Sequence, residues 1–142
     1  MGIKNKMRLS FDSLSENESF ARAVVSCFAL QLNPSITEIS DIKTAVSEAV
    51  TNAIVHGYNR TVGEIVLECA IEEKKIHINI IDNGVGIENV EQALEPFFTT
   101  REDDERSGMG FTIMQSFMDE VKIDSQKGIG TKVYMTKIIK SD

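Results

Sequence analysis

The stretch from Ser35 to Gly57 constrains this chain more than any other. Ser35 and Glu38 have the spacing of a capping box. Ile39, Ile42, Ala45, Val46, Ala49, Val50, Ala53 and Ile54 then recur on one helical face until Gly57 ends the run. A helix with so wide an apolar stripe must lie on something. The rest of the chain supplies strands for it. Met7, Leu9 and Phe11 alternate with polar residues; Glu64 to Glu72 and Lys75 to Asp82 form a hairpin about Glu73-Lys74, with Ile76, Ile78 and Ile80 pointing one way. Two more strands, Glu120 to Ser125 and Thr131 to Ile139, flank Gly128-Ile129-Gly130. Ser15 with Glu18 repeats the capping pattern ahead of Phe20, Ala21, Val24, Val25, Phe28 and Leu32, a helix that Pro34 stops. A third helix, Gly108 to Met118, opens on glycines. Hairpins with few βαβ units predict an α+β fold: a two-layer sandwich, with helices on one face of a mainly antiparallel mixed sheet.

Length and charge narrow the function. At 142 residues and 42% hydrophobic, the chain suits one domain, residues 1–142, with its own core. Its net charge of −7 and the lack of a basic stripe speak against nucleic acid and anionic membrane as partners. The longest apolar run, Cys27 to Leu30, is far short of the ~20 residues of a membrane span. The start has no apolar signal core, and Cys27 and Cys69 read as reduced core thiols, so a cytoplasmic domain is expected.

Three features could carry chemistry. Glu48, Asn52 and His56 form an i, i+4 ridge at the rim of the apolar stripe, where polar side chains either make ordinary boundary hydrogen bonds or line a cleft. Asp82-Asn83-Gly84-Val85-Gly86 ends an apolar strand. It is either an Asx-type turn or a base-binding loop, whose carboxylate accepts from an exocyclic amine while Gly84 and Gly86 let backbone approach a flat ring. Ser107-Gly108-Met109-Gly110-Phe111-Thr112 opens a helix, where exposed N–H groups and the helix dipole favour phosphate. The P-loop and protein-kinase signatures are absent, since the chain has neither Gly-Lys nor His-Arg-Asp.

In combination and in this order, these boxes, with Gly128-x-Gly130-Thr131 before the last strand, resemble the Bergerat-fold superfamily of gyrase, Hsp90 and histidine kinases. Ser47 to Gly57, Pro96-Phe97-Phe98-Thr99-Thr100 and Glu105 to Met114 narrow the likeness to the anti-sigma-factor serine kinases of spore-forming bacteria, essentially end to end. The resemblance implies ATP and Mg²⁺, with Asn52 on the metal, Asp82 on adenine, and Gly108 with Gly110 around the phosphates. It implies two partners, a sigma factor and an anti-anti-sigma protein phosphorylated on serine, and a homodimer. It also raises Arg22, on the solvent side of the first helix, as a contact for both partners.

Phosphoryl transfer needs a group to take the hydroxyl proton, and Glu48, one turn before Asn52, is placed to do so. Glu95 to Ser107 then reads as a lid, with Thr99, Thr100, Arg101 and Arg106 available to the γ-phosphate. His56 reads as a structural hydrogen-bonding residue and His77 as a residue of the exposed strand face. The rival readings are a nucleotide-gated sigma-binding module without phosphotransfer, a general-stress relative, the catalytic half of a histidine kinase, and a dimeric ATPase of the Hsp90 kind.

Overall fold

The computed structural model describes residues 2–59, 61–87, 90, 94 and 110–141. In chain order its elements are β1 (Asn5–Asp12), α1 (Glu16–Ala29), a 3-10 turn (Leu30–Leu32), α2 (Ile36–Asn52), a π-helical turn (Ala53–Gly57), β2 (Glu64–Glu72), β3 (Lys75–Asp82), α3 (Gly110–Phe117), β4 (Glu120–Gln126) and β5 (Gly130–Ile138). The sheet order is β1-β2-β3-β5-β4. All four strand pairings among the described residues are antiparallel, so the sheet expected to be mainly antiparallel and mixed holds no parallel pair there. Hairpins join β2 to β3 and β4 to β5, and the crossover through α3 leads to β4, outside β5.

Strand alternation sets the two faces. Leu9, Leu67, Ile80, Val133 and Ile123 stand side by side on the five strands and form one apolar row. Cys69, Ile78 and Met135 form part of another, and against these rows lie Ala21, Val25 and Ala29 of α1, Ile42, Val46 and Val50 of α2, and Met114 of α3. The opposite face is mainly polar, with Val66 paired to Ile81 upon it. His77 sits there as expected, though largely covered, between Tyr134 Oη at 2.6 Å and Glu72 Oε1 at 3.0 Å.

Lys137 breaks the apolar pattern of the inner face. Its Nζ donates to the Phe117 carbonyl at the end of α3 (2.7 Å) and lies 3.4 Å from Asp41 of α2, so one ammonium ties two helices to the sheet.

Several local expectations need correction. Ser15 does not cap α1: its φ of −55° and ψ of −34° are already helical, and no side-chain cap bond forms. An N-cap residue needs extended backbone for its hydroxyl to reach back, and Ser35, with ψ of 167°, has it. The turn at Leu14, whose carbonyl accepts from Asn17 N–H at 2.9 Å, starts α1 instead. The stripe of α1 is centred on Ala21, Val25 and Ala29, which leaves Phe20 48% exposed and Cys27 exposed as well. Cys69 is the core thiol, and burial pushes its pKa up to about 12. Asn33, left-handed at φ 52°, closes the 3-10 turn that ends α1, one residue before Pro34.

Candidate active site

The regular α-helix expected to run to Gly57 ends at Asn52, and Ala53–Gly57 form a wider π turn, closed by Tyr58 N–H on the Ala53 carbonyl at 2.9 Å. Single π turns of this kind collect at functional sites. Glu48 and Asn52 stay one α-helical turn apart and both are half-buried; the i, i+4 arithmetic that placed His56 with them stops where the wider turn begins.

Beyond the π turn the chain meets the end of β3. Asp82 continues the inward parity of Ile76, Ile78 and Ile80, and is only 6% exposed. Its row across the sheet reads Ile65, Asp82, Thr131, Ser125, so three polar side chains end the apolar face together. Burial pushes the Asp82 carboxyl above the usual carboxylate range, and hydrogen bonds from the backbone of Gly84 and Thr131 pull it back. Gly84 N–H donates to Asp82 Oδ1 at 2.9 Å. The result is a buried acceptor with limited protein donors, suited to a ligand N–H.

The glycines here are demanded by close approach. A Cβ on Gly57 would lie 2.8 Å from the Asp82 carboxyl carbon, and one on Gly84 would lie 1.9 Å from the Gly57 carbonyl oxygen. Gly86, at φ 74°, leaves room for the Gln126 carbonyl, and Gly130 for the Asp82 carbonyl. Val85 N–H then donates to Gly57 O at 2.8 Å and Gly128 N–H to Val85 O at 2.6 Å. The π turn, the Asp82 loop and the β4–β5 turn therefore form one unit.

Asn52 faces the third segment. Among the described residues its Nδ2 is buried without a hydrogen-bond partner, and a Cβ on Gly110, the first residue of α3, would lie 2.9 Å from it. An amide buried with one end unmatched is costly unless a ligand completes it. Rotation about χ2 exchanges its nitrogen for oxygen, a hard ligand suited to Mg²⁺. Among the described residues no cluster of three or more His, Cys, Asp or Glu forms a cage; one amide oxygen is a protein ligand of the kind Mg²⁺ accepts when phosphate oxygens and water complete its shell. The residues present fit that ion.

Of the expected site residues, the structure brings Asn52 against Gly110, with Glu48 one turn earlier on α2, and gathers Asp82, Gly84, Gly86 and Thr131 at the ends of β3 and β5. Phe111, half-buried, packs against the core. Thr99, Thr100, Arg101, Arg106, Ser107, Gly108 and Met109 lie outside the described residues. Arg22 is on α1, its side chain 40% exposed and 3.5 Å from Glu18. Sequence reading missed Ser125, whose Oγ accepts from Ile87 N–H at 2.7 Å and meets Thr131 Oγ1 at 2.8 Å. It also missed Tyr58, whose hydroxyl accepts from Asn83 N–H at 2.8 Å. Neither belongs to a motif; only the pairing of strands and turns reveals them. An open cleft of about 440 Å³, lined in part by Tyr58, Val85 and Gly128, lies beside this unit without Asp82 or Asn52 in its wall.

The histidine kinase-like ATPase domain model matches residues 11–137. An anti-sigma F factor of Thermoanaerobacter sp. (strain X514) is 58% identical over 142 residues, covering 100% of this chain and 99% of that relative. That of Clostridium acetobutylicum is 55% identical over 135 residues, 95% of this chain and 94% of the relative. The chain belongs to the anti-sigma F factor family. Solved structures agree on the fold of this family member. The RsbU and RsbW domains of Rv1364c from Mycobacterium tuberculosis superpose with a TM-score of 0.68 at 20% identity, covering 96% of this chain and 32% of that one. The catalytic domain of histidine kinase ThkA gives 0.57 at 16% identity, covering 94% and 96%. Both are distant in sequence and speak to architecture alone.

Proposed function

We propose that this chain binds ATP with Mg²⁺ through the residues around Asn52 and Asp82, phosphorylates a serine of an anti-anti-sigma protein, and otherwise holds a sporulation sigma factor inactive. The observation that carries the site reading is the buried, unmatched amide end of Asn52 beneath the first residue of α3, with Glu48 one turn earlier. The full-length likeness to anti-sigma F factors supports the choice of partners.

The chemistry follows from those positions. Asp82 accepts the exocyclic amine of adenine, with Thr131 and the glycine backbone around it. Mg²⁺, when bound, neutralises charge on the phosphate oxygens. The acceptor serine Oγ attacks the γ-phosphorus in line; the bond from that phosphorus to the bridging oxygen breaks, ADP leaves, and the hydroxyl proton passes to Glu48. N–H groups at the start of α3 hold the phosphates. Thr99, Thr100, Arg101, Arg106, Ser107, Gly108 and Met109 belong to the same proposal as lid and phosphate contacts. So do the homodimer, the cytoplasmic setting and Arg22 as a surface shared by both partners. Among the described residues no helix is long and apolar enough to cross a membrane.

The test is labelled ATP incubated with the protein and its serine-bearing partner. Label on the partner's serine supports the kinase. Nucleotide binding that alters sigma-factor affinity without any label would favour the second reading, a gated binding module, against which the placement of Glu48 argues.

A further inference from the structure

Tyr58 follows the π turn and is held on three sides. Its backbone N–H closes the turn on Ala53, its hydroxyl donates to the Glu64 carbonyl, and its oxygen accepts from Asn83 N–H at 2.8 Å. The ring occupies space that exists because residue 63 is glycine: a Cβ there would lie 2.2 Å from the ring carbon Cε1. Asn83 is the residue after Asp82, and Val85 is bonded to Gly57, the residue before Tyr58. Two consecutive residues therefore grip the Asp82 loop at 83 and 85. Gly84 N–H, between them, is left to orient the carboxylate through Oδ1 at 2.9 Å.

We propose that Tyr58 is the positioning residue for nucleobase selection: it fixes the Asn83 amide, and through it the angle at which the Asp82 carboxylate meets a base. This rests on the reading of Asp82 as the base-binding acid. A 6-aminopurine presents a donor at its N6 edge and guanine an acceptor at O6, so a fixed carboxylate attracts the first and repels the second. A carboxylate free to swing loses that contrast, because it can turn from guanine and take water instead. Tyr58 is also six residues from Asn52, so the same turn sets the spacing between the base end and the metal end of the site.

The experiment is calorimetric binding of ADP and GDP to the full chain with Mg²⁺, for wild type, Tyr58→Phe, Gly63→Ala and Asp82→Asn. Tyr58→Phe keeps the ring and removes the hydroxyl. It is expected to cut the ADP-over-GDP preference about fivefold, the worth of one ordinary hydrogen bond, through weaker ADP binding together with relief of the clash with GDP. Gly63→Ala, which displaces the ring but keeps the hydroxyl, should move the ratio the same way. An unchanged ADP-to-GDP ratio in Tyr58→Phe, alongside lost discrimination in Asp82→Asn, removes Tyr58 and leaves the Asp82 reading intact. Full discrimination retained in Asp82→Asn removes both. Should Tyr58→Phe fail to fold, hydrogen exchange of the wild-type Asn83 amide decides: protection that deepens with ADP supports the proposal, and free exchange overturns it.

Discussion

Helices α1 and α2 open on the same pattern, Ser-x-x-Glu, and only α2 uses it. Ser35 Oγ accepts from Glu38 N–H at 3.1 Å while Glu38 Oε1 accepts from Ser35 N–H at 2.9 Å. Glu38 does more than cap: its other oxygen, Oε2, accepts from Lys140 N–H at 2.8 Å, and Oε1 also accepts from Ser141 Oγ at 2.7 Å, so residues 140 and 141 are fastened to the start of α2. In α1 the matching glutamate, Glu18, turns instead toward Arg22. The difference teaches what a capping box requires: the right residues, and a chain that enters extended. The helix fastened at its start carries Glu48 and Asn52 near its end, where placement matters most. The helix that enters through the turn at Leu14, where Asn17 Nδ2 donates to the Asp12 carbonyl at 2.9 Å, leaves Phe20 exposed.

Breaking the comparison at its functional extremes gives the largest effects. Glu48→Gln on α2 is expected to lower phosphorylation of the acceptor serine by about 10²–10⁴-fold with ATP affinity nearly unchanged, measured by single-turnover transfer. A near wild-type rate removes Glu48 as the base. Asn52→Ala, one turn on, should weaken ATP strongly with Mg²⁺ and little without it. Titration in the presence and absence of metal checks this, and equal losses would take Asn52 off the ion.

On α1 the expectation is opposite in kind. Arg22→Glu should impair binding of both the sigma factor and the anti-anti-sigma protein, leaving ATP affinity as it was. Loss of one complex only, read by competition binding, would show that the partners use different surfaces.

The caps themselves sharpen the contrast at smaller scale. Ser35→Ala should cost about 1 kcal/mol in thermal or urea unfolding, whereas Ser15→Ala should stay within about 0.5 kcal/mol. Glu38 adds a pH signature. Hydrogen bonds from Ser35 and Lys140 backbone hold its pKa down at about 2, against an ordinary 4.5. A carboxyl depressed on folding contributes stability above its unfolded pKa and loses it as pH falls, here between about 4.5 and 2. Glu38→Gln should therefore flatten the acid side of the stability curve in that window. An unaltered acid limb would mean that the clamp contributes nothing there.

Much of the site was legible because its motifs are local. The strand parity of Ile76, Ile78 and Ile80 extends to Asp82, and the helical spacing of Glu48 and Asn52 holds within α2. A regular repeat fails one step beyond the element that sets it. Periodicity places Phe20 in the stripe of α1 and His56 on the ridge of α2, because it assumes one rise and one turn throughout. Phe20 fails because tertiary packing rotates the buried face toward Ala21, and His56 because the helix widens after Asn52.

The sequence alone determined which segments are strands, which face of each is apolar, where α2 begins, and which residue types could bind nucleotide. Those properties depend on neighbours within a few positions, and a period of two or 3.6 records them. Only the tertiary structure decided why Gly57, Gly84, Gly86 and Gly130 are glycines, and that Tyr58 and Ser125 belong to the site. Gly130 is glycine because the Asp82 carbonyl passes where its side chain would be, across a strand pairing that joins residues far apart in the chain. Close contact between distant segments leaves no periodic trace in either one, since each sees the other only after the sheet has formed.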